Sequence, residues 1–310
     1  MFLLPLPSER TSLNAHLRSA GAPDALRHLI LDISRAAKYI SYAIKTTETG
    51  LSGGTNQSGE KQLQLDVLSD TIVSHYLAES GLVASYASEE AEELIIFSDN
   101  APYTVVFDPL DGSSLVEANF AIGSIFGIYE GLDCLGKTPR EQVAALYVIY
   151  GPRTLLVYSC GKGVHSFILN DVGEFILYQE YHGIADTAKN YSPGNLRALA
   201  DNPAYDSVLH DWLKRELTLR YSGCMVADIH HIIAKGQGIF TNVGGSKYPQ
   251  GKLRLVFECG PFAYLVEQAG GASSNGNVSI LDVPIENIHQ RTPVIIGSAH
   301  EVAAVTKALR

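Results

Sequence analysis

The apolar positions of this chain fall into two regimes. Over residues 26–45 they recur at helical spacing, at Leu29, Leu31, Ile33, Ala36, Ile40 and Ala43, which predicts an amphipathic helix. A second helix is predicted over 63–79, and the Gly/Ser/Thr-rich stretch 46–60 between them reads as a mobile loop. Short apolar runs then take over, at 83–86, 103–107, 122–129, 143–150, 154–159, 164–169 and 175–179. Turns such as Gly151–Pro152–Arg153 and Gly161–Lys162–Gly163 separate the later ones, which predicts an antiparallel meander. After the polar stretch 181–195 the pattern alternates. It predicts strands at 195–198, 218–221, 238–241 and 293–297, and helices at 205–217 and 225–234. One long helix over 253–269 is stopped by Gly270–Gly271, and a last helix closes the chain. The expected fold class is therefore α/β, layered in the α+β manner. An N-terminal domain (1–188), mainly an antiparallel meander sheet with helices, precedes a smaller α/β C-terminal domain (189–310).

One run breaks its own pattern. Val105–Val106–Phe107 reads as a buried strand that stops at Asp108. Pro109 lacks a backbone donor, so the ladder is expected to end there. Asp111 comes two residues later, and Gly112–Ser113–Ser114 permits a sharp turn that exposes backbone N–H groups. An isolated D-x-x-D is an ordinary Asx turn. Two acids beside an N–H nest, in this ten-residue string, suit a cation and a phosphate held together.

Bulk properties narrow the partners. The 310 residues suffice for two domains, and with 46% hydrophobic and 18% charged residues the chain is globular. A net charge of −10 argues against nucleic acid, whose phosphates need a basic surface. No apolar run approaches a membrane span. Cys134, Cys160, Cys224 and Cys259 are scattered without zinc spacing, so a reduced compartment is expected: the cytoplasm, or a plastid if a transit segment has been removed.

Further acids could join Asp108 and Asp111. Asp66 lies near the start of the second helix, Glu89–Glu90 end a strand, and Glu258 interrupts an apolar helix. A carboxylate on a buried stripe is costly unless it is paired or binds a metal. Each alone is equally a cap or a solvated charge; together they suggest a Mg²⁺ site. Arg197, Arg220, Lys252 and Arg254 are the basic residues that could answer phosphate, Lys252–Leu253–Arg254 from the start of a helix. A competing motif runs from Gly131 to Lys137–Thr138 and fits the P-loop pattern G-x-x-x-x-G-K-T, which would make the chain a nucleotide hydrolase. It lacks a downstream acidic partner strand and sits among meander strands.

Ser88–Glu89–Glu90, the string Phe107 to Ser114, Lys252–Leu253–Arg254–Leu255 and Glu258–Cys259–Gly260–Pro261 resemble, in collinear order, the fructose-1,6-bisphosphatase/sedoheptulose-1,7-bisphosphatase family. The resemblance implies a sugar-phosphatase fold and metal-dependent removal of a sugar 1-phosphate. It implies that Glu89, Asp108, Asp111, Glu258 and the Leu110 carbonyl hold Mg²⁺ or Mn²⁺. Glu90, supported by Asp66, would act on the attacking water, with Glu60 on a loop that closes. Gly112, Ser113 and Ser114 would cradle the reacting phosphate. Asn195, Arg197, Arg220, Tyr221, Gly223, Met225, Asn242, Lys252 and Arg254 would hold the sugar and distal phosphate. Arg220 would reach across a subunit interface, so a homo-oligomer, dimer or tetramer, is implied.

Segments 115–120, 150–154, 192–197, 218–221 and 239–243 look like the sedoheptulose enzyme, with Asn242 where fructose enzymes usually carry Tyr. Segments 225–230 and 288–291 look like the fructose enzyme. Sedoheptulose 1,7-bisphosphate is thus the expected substrate, with fructose 1,6-bisphosphate or dual specificity as the alternative. Two regulatory features of relatives are missing. Where the animal enzyme meets AMP, this chain has Gly21–Ala22–Pro23–Asp24, Pro102–Tyr103 and Glu130; where the plant enzyme has a redox cysteine pair, it has Gly53–Gly54–Thr55–Asn56–Gln57.

Overall fold

The computed structural model describes residues 11–47, 51–55, 61–181 and 183–310. The first half runs α1 (Leu13–Ser19), α2 (Asp24–Thr46), β1 (Leu51–Thr55), β2 (Lys61–Leu63), α3 (Gln64–Ser80), β3 (Val83–Ser88), β4 (Ile95–Ile96), β5 (Tyr103–Asp111), β6 (Ile122–Glu130), β7 (Gln142–Tyr150), β8 (Thr154–Ser159), β9 (Val164–Leu169) and β10 (Phe175–Tyr181). The second half runs β11 (Asn190–Gly194), α4 (Pro203–Lys214), β12 (Thr218–Leu219), α5 (Met225–Lys235), β13 (Ile239–Asn242), α6 (Gly260–Gln268), β14 (Ala272–Ser274), β15 (Val294–Gly297) and α7 (Ala299–Leu309).

Eight strands form one sheet in the order β10-β9-β8-β7-β6-β5-β3-β4. Neighbours are antiparallel throughout except β3 and β5, which run parallel. Five form a second sheet in the order β12-β11-β13-β15-β14. Apolar residues of α1, α2 and α3 cover one face of the large sheet. Its other face packs on α5 and α6, which also touch the small sheet; α4 and α7 close that sheet's outer side. The result is five layers, αβαβα. The boundary expected near 188 falls between β10 and β11, but α5 and α6 of the second half complete the core of the first sheet.

Four expectations need correction. The ladder of β5 does not end at Pro109. Asp108 opposes Ile125 and Asp111 opposes Gly123, so Pro109 and Leu110 are carried in a bulge. The Pro109 carbonyl accepts a hydrogen bond from Ser124 Oγ at 2.7 Å, and the strand resumes. The strand expected at 195–198 lies at Asn190–Gly194, and Leu196–Ala200 is a 3₁₀ turn entered through Asn195 in the left-handed region (φ 50°). Asn tolerates that conformation, and of the turn's residues Ala198 is buried while Leu196 is exposed. The helix expected over 253–269 opens as a π-turn, Leu255–Cys259, before α6 begins. Of the stretch 46–60, read as a loop, β1 pairs with β2; residues 48–50 and 56–60 lie outside the described ones.

Candidate active site

The parallel pairing of β3 and β5 creates the site. Parallel strands leave the sheet at the same edge, so Ser88 lies beside Phe107 and the next residues of both strands meet. Glu89 N–H donates to the Phe107 carbonyl at 3.0 Å, which sets Glu89–Glu90 against Asp108. Below them Ser88 Oγ donates to Asp70 of α3 at 2.5 Å, and that helix brings Asp66 to the same edge. The β5 bulge turns Asp108 back on itself, its Oδ1 accepting from Leu110 N–H at 2.9 Å.

The second half supplies the opposite wall. Val226 N–H, at the start of α5, donates to Asp111 Oδ2 at 2.6 Å, and the Cys224 thiol donates to the same oxygen at 3.1 Å. This approach needs glycines. A Cβ on Gly123 would lie 2.4 Å from Val226 Cγ1, and one on Gly112 (φ +80°) would lie 2.8 Å from Cys224 Cβ. Glu258 enters through the π-turn. The Cys259 N–H reaches back five residues to the Arg254 carbonyl, and Glu258 Oε2 accepts from Arg254 N–H at 2.7 Å. The buried Arg254 guanidinium pairs with Glu89.

Asp108, Asp111 and Glu258 bring one carboxylate oxygen each within 4.8 Å of one another. Burial is the main force on all three. It pushes Asp108 well above the ordinary carboxylate range, helped by Glu89, Asp111 and Glu258. It raises Asp111 to about 6 against the Val226 N–H and Cys224 thiol, and Glu258 to about 8 against Arg254. Carboxylates crowded so closely can all stay ionised only if positive charge joins them. An all-oxygen set of this kind fits a hard divalent cation.

A cavity of about 400 Å³ opens over these acids. Asp66, Glu89, Glu90, Asp108, Leu110, Asp111 and Glu258 line it, as do Gly112, Ser113 and Ser114. Tyr221, Gly223, Met225, Asn242, Lys252 and Arg254 line it too. Three expected residues do not reach it. Asn195 Nδ2 donates to the Val243 carbonyl at 2.7 Å and so pins the chain after β13. Arg197 is exposed beyond the wall, and the exposed Arg220 turns Nη1 to the Leu219 carbonyl at 2.9 Å. Glu60 lies outside the described residues.

The cavity also contains Asp228, Phe240, Leu253 and Arg291, which sequence reasoning missed. Asp228 is pushed up to about 6, chiefly by burial, and accepts from Ser222 N–H at 2.8 Å. Its signal was an acid among the apolar positions of α5, but an acid in a helix's first turn is unremarkable. Arg291 donates to the Lys252 carbonyl from a loop without periodicity.

The P-loop reading fails on geometry. Lys137 Nζ donates to the carbonyls of Glu130 and Asp133 in its own loop, the latter at 2.8 Å. The chain then makes one 3₁₀ turn, Pro139–Glu141, and enters β7, so no helix N-terminus faces the loop.

Comparison with known proteins gives a consistent picture. The sequence signature of the fructose-1-6-bisphosphatase N-terminal domain matches residues 9–180, and that of its C-terminal domain matches 184–310. A protein of Trichlorobacter lovleyi named fructose-1,6-bisphosphatase class 1 is 45% identical over 304 residues, covering 97% of this chain and 95% of its own. The chloroplastic sedoheptulose-1,7-bisphosphatase of Spinacia oleracea is 40% identical over 302 residues, covering 96% and 78%. The crystal structure of Leishmania major fructose-1,6-bisphosphatase in holo form superposes with a TM-score of 0.91 at 32% identity, covering 96% and 98%.

Proposed function

The chain belongs to the fructose-1,6-bisphosphatase family and is a metal-dependent sugar bisphosphatase, and from that premise we propose that it removes the 1-phosphate of fructose 1,6-bisphosphate, using Mg²⁺. The observation that carries this reading is the acid cluster of Asp108, Asp111 and Glu258 in a cavity that Lys252 and Arg291 also line. The substrate expectation moves from the seven-carbon to the six-carbon sugar. The relatives at 42–45% identity carry the fructose name, and the fructose-like segments supply Met225, Asp228 and Arg291 to the cavity. Asn242 favours the second reading, sedoheptulose 1,7-bisphosphate, because it lines the wall with a smaller side chain than Tyr.

In the proposed reaction Glu89, Asp108, Asp111, Glu258 and the Leu110 carbonyl would hold the metal. Mg²⁺ (or Mn²⁺) bound there would supply positive charge to the phosphoryl oxygens and lower the pKa of the attacking water. Glu90, with Asp66 behind it, takes the proton of that water. Water oxygen bonds to phosphorus as the bond from phosphorus to the sugar oxygen breaks, and that oxygen takes its proton from solvent water. Backbone N–H groups of Gly112, Ser113 and Ser114 hold the phosphoryl oxygens during transfer. Tyr221, Lys252 and Arg291 orient the far end of the sugar phosphate. Arg220, exposed on its own chain, lies away from that cavity and suits a neighbouring copy's site in a homo-oligomer.

The test is Mg²⁺-dependent phosphate release from the two bisphosphates side by side. A higher kcat/KM for fructose 1,6-bisphosphate supports the proposal, and a higher value for the seven-carbon sugar selects the Asn242 reading. Asp108→Asn should lower kcat on the order of a thousandfold, since a metal-ligand carboxylate accounts for several kcal/mol of barrier. Near-normal turnover by that variant would sink the metal assignment.

A further inference from the structure

A second group of ligand-bearing side chains lies at the other end of the large sheet. His16 sits in the last turn of α1, His165 on β9 and Glu180 on β10. Four strand spacings, roughly 19 Å, separate β9 from β5 and the catalytic acids. His16 Nε2 and His165 Nδ1 lie 3.7 and 3.8 Å from the same oxygen, Glu180 Oε1. The three ligand atoms all fall within 4.8 Å of one another.

The hydrogen bonds around them orient both rings. His165 Nε2 faces the Lys162 carbonyl at 2.9 Å. A carbonyl only accepts, so the proton sits on Nε2 and the lone pair on Nδ1. That Nδ1 is buried and has no hydrogen-bond partner among the described residues. His16 Nδ1 meets Tyr158 Oη at 2.6 Å, which leaves Nε2 as the ring's outward nitrogen. A ligating imidazole characteristically has its second nitrogen held in this way. The Glu180 side chain is 48% exposed, so an ion can enter and a water can complete its shell.

We propose that His16, His165 and Glu180 bind a borderline transition-metal ion, Zn²⁺ first among them, which fastens α1 to the outer strands of the sheet. Two imidazole nitrogens and one carboxylate oxygen are donors for such an ion, whereas Mg²⁺ prefers the all-oxygen catalytic cluster. Tetrahedral zinc with bonds near 2.0–2.1 Å holds its ligand atoms roughly 3.3–3.5 Å apart. The two imidazole-to-carboxylate distances, 3.7 and 3.8 Å, exceed that spacing by a few tenths of an ångström. Without the ion, the described backbone ties between this end of the chain and β10 are the Ser12–Ile176 bridge and the bond from Leu177 N–H to the Thr11 carbonyl.

The experiment titrates the full-length enzyme with Zn²⁺, and with Co²⁺ as a visible probe, while saturating Mg²⁺ occupies the catalytic cavity. Wild type should take up one equivalent of Zn²⁺ and unfold at a higher temperature with it. Its Co²⁺ complex should show the intense bands of a low-coordinate, nitrogen-ligated ion. His165→Asn and Glu180→Gln should weaken binding at least 10–100-fold and abolish the midpoint shift, and Tyr158→Phe should weaken it about tenfold. Mg²⁺-dependent kcat should be unchanged in Glu180→Gln. Equal Zn²⁺ uptake and equal midpoint shifts in wild type and the two ligand variants would overturn the proposal, as would no uptake beyond what Mg²⁺ displaces.

Discussion

At Gly112 the chain turns through φ +80° with the Cys224 side chain directly behind it. An alanine there meets both a disfavoured backbone region and a carbon at 2.8 Å. Gly112→Ala should lose about 1–3 kcal/mol of stability and displace the backbone just after Asp111, so kcat/KM falls as well. Chemical unfolding and steady-state rates read the two effects separately. His230 makes a different kind of prediction. Its Nδ1 lies 2.8 Å from Tyr147 Oη, and burial pushes its pKa from 6.5 down to about 4. The unfolded chain therefore takes up a proton near pH 6.5 that the folded chain refuses until about pH 4. Stability falls as pH drops through that window. His230→Gln, which has no charge to gain, should flatten that part of the stability curve; an unchanged slope would remove His230 as its source. Individual acids were legible because they interrupt apolar runs, as Asp108 and Glu258 do. Asp228 and Arg291 were not, because one looks like a helix-start acid and the other stands in aperiodic chain.

Elements were read well where side-chain periodicity decides them and poorly where the hydrogen-bond register does. The helix at α2 and strands β6 to β9 follow from spacing alone. The π-turn at Leu255–Cys259 has the apolar content of a helix, and only its five-residue bond reach distinguishes it. The bulge in β5 is likewise invisible to alternation, because Pro109 looks like a stop. Both irregularities carry candidate ligands, which is where local rules are expected to yield to function. Away from the site, α4 and α7 are joined by a polar tie. The buried Glu301 accepts from Trp212 Nε1 at 2.7 Å and from Arg215 Nη2 at 2.7 Å. Glu301→Ala leaves the indole N–H without that partner and should cost about 1–3 kcal/mol, since unpaired buried donors carry their full desolvation penalty. The thermal midpoint should fall while kcat stays level; a variant as stable as wild type would show the tie to be idle.

The layered architecture and the family were legible across the molecule, because the metal motifs lie in collinear order on a recognisable succession of elements. The choice between sugars was not, since it depends on which segments reach the cavity, and folding brings both sedoheptulose-like and fructose-like ones there. Regulation is a property of the same scale. Gly21, Ala22, Pro23, Tyr103 and Glu130 do gather round one cavity of about 320 Å³. The cation lining it, Lys162, turns its Nζ toward the Ala20 carbonyl at 3.4 Å. A nucleotide phosphate placed there would face the Glu130 carboxylate. AMP should therefore leave the rate unchanged. Inhibition by AMP that disappears when residues of this cavity are altered would overturn the expectation.

The bond between Asp111 and the start of α5 also has a consequence in time. Asp108 and Asp111 leave the ribosome well before Glu258. At about 5–20 residues per second the interval is roughly 7–30 s. Throughout it the nascent chain carries two of the three clustered acids, and the face of its first sheet lacks α6. No amount of magnesium in the cell can complete that cluster early. The growing chain depends on whatever shields its uncovered sheet until the last third of the message has been read.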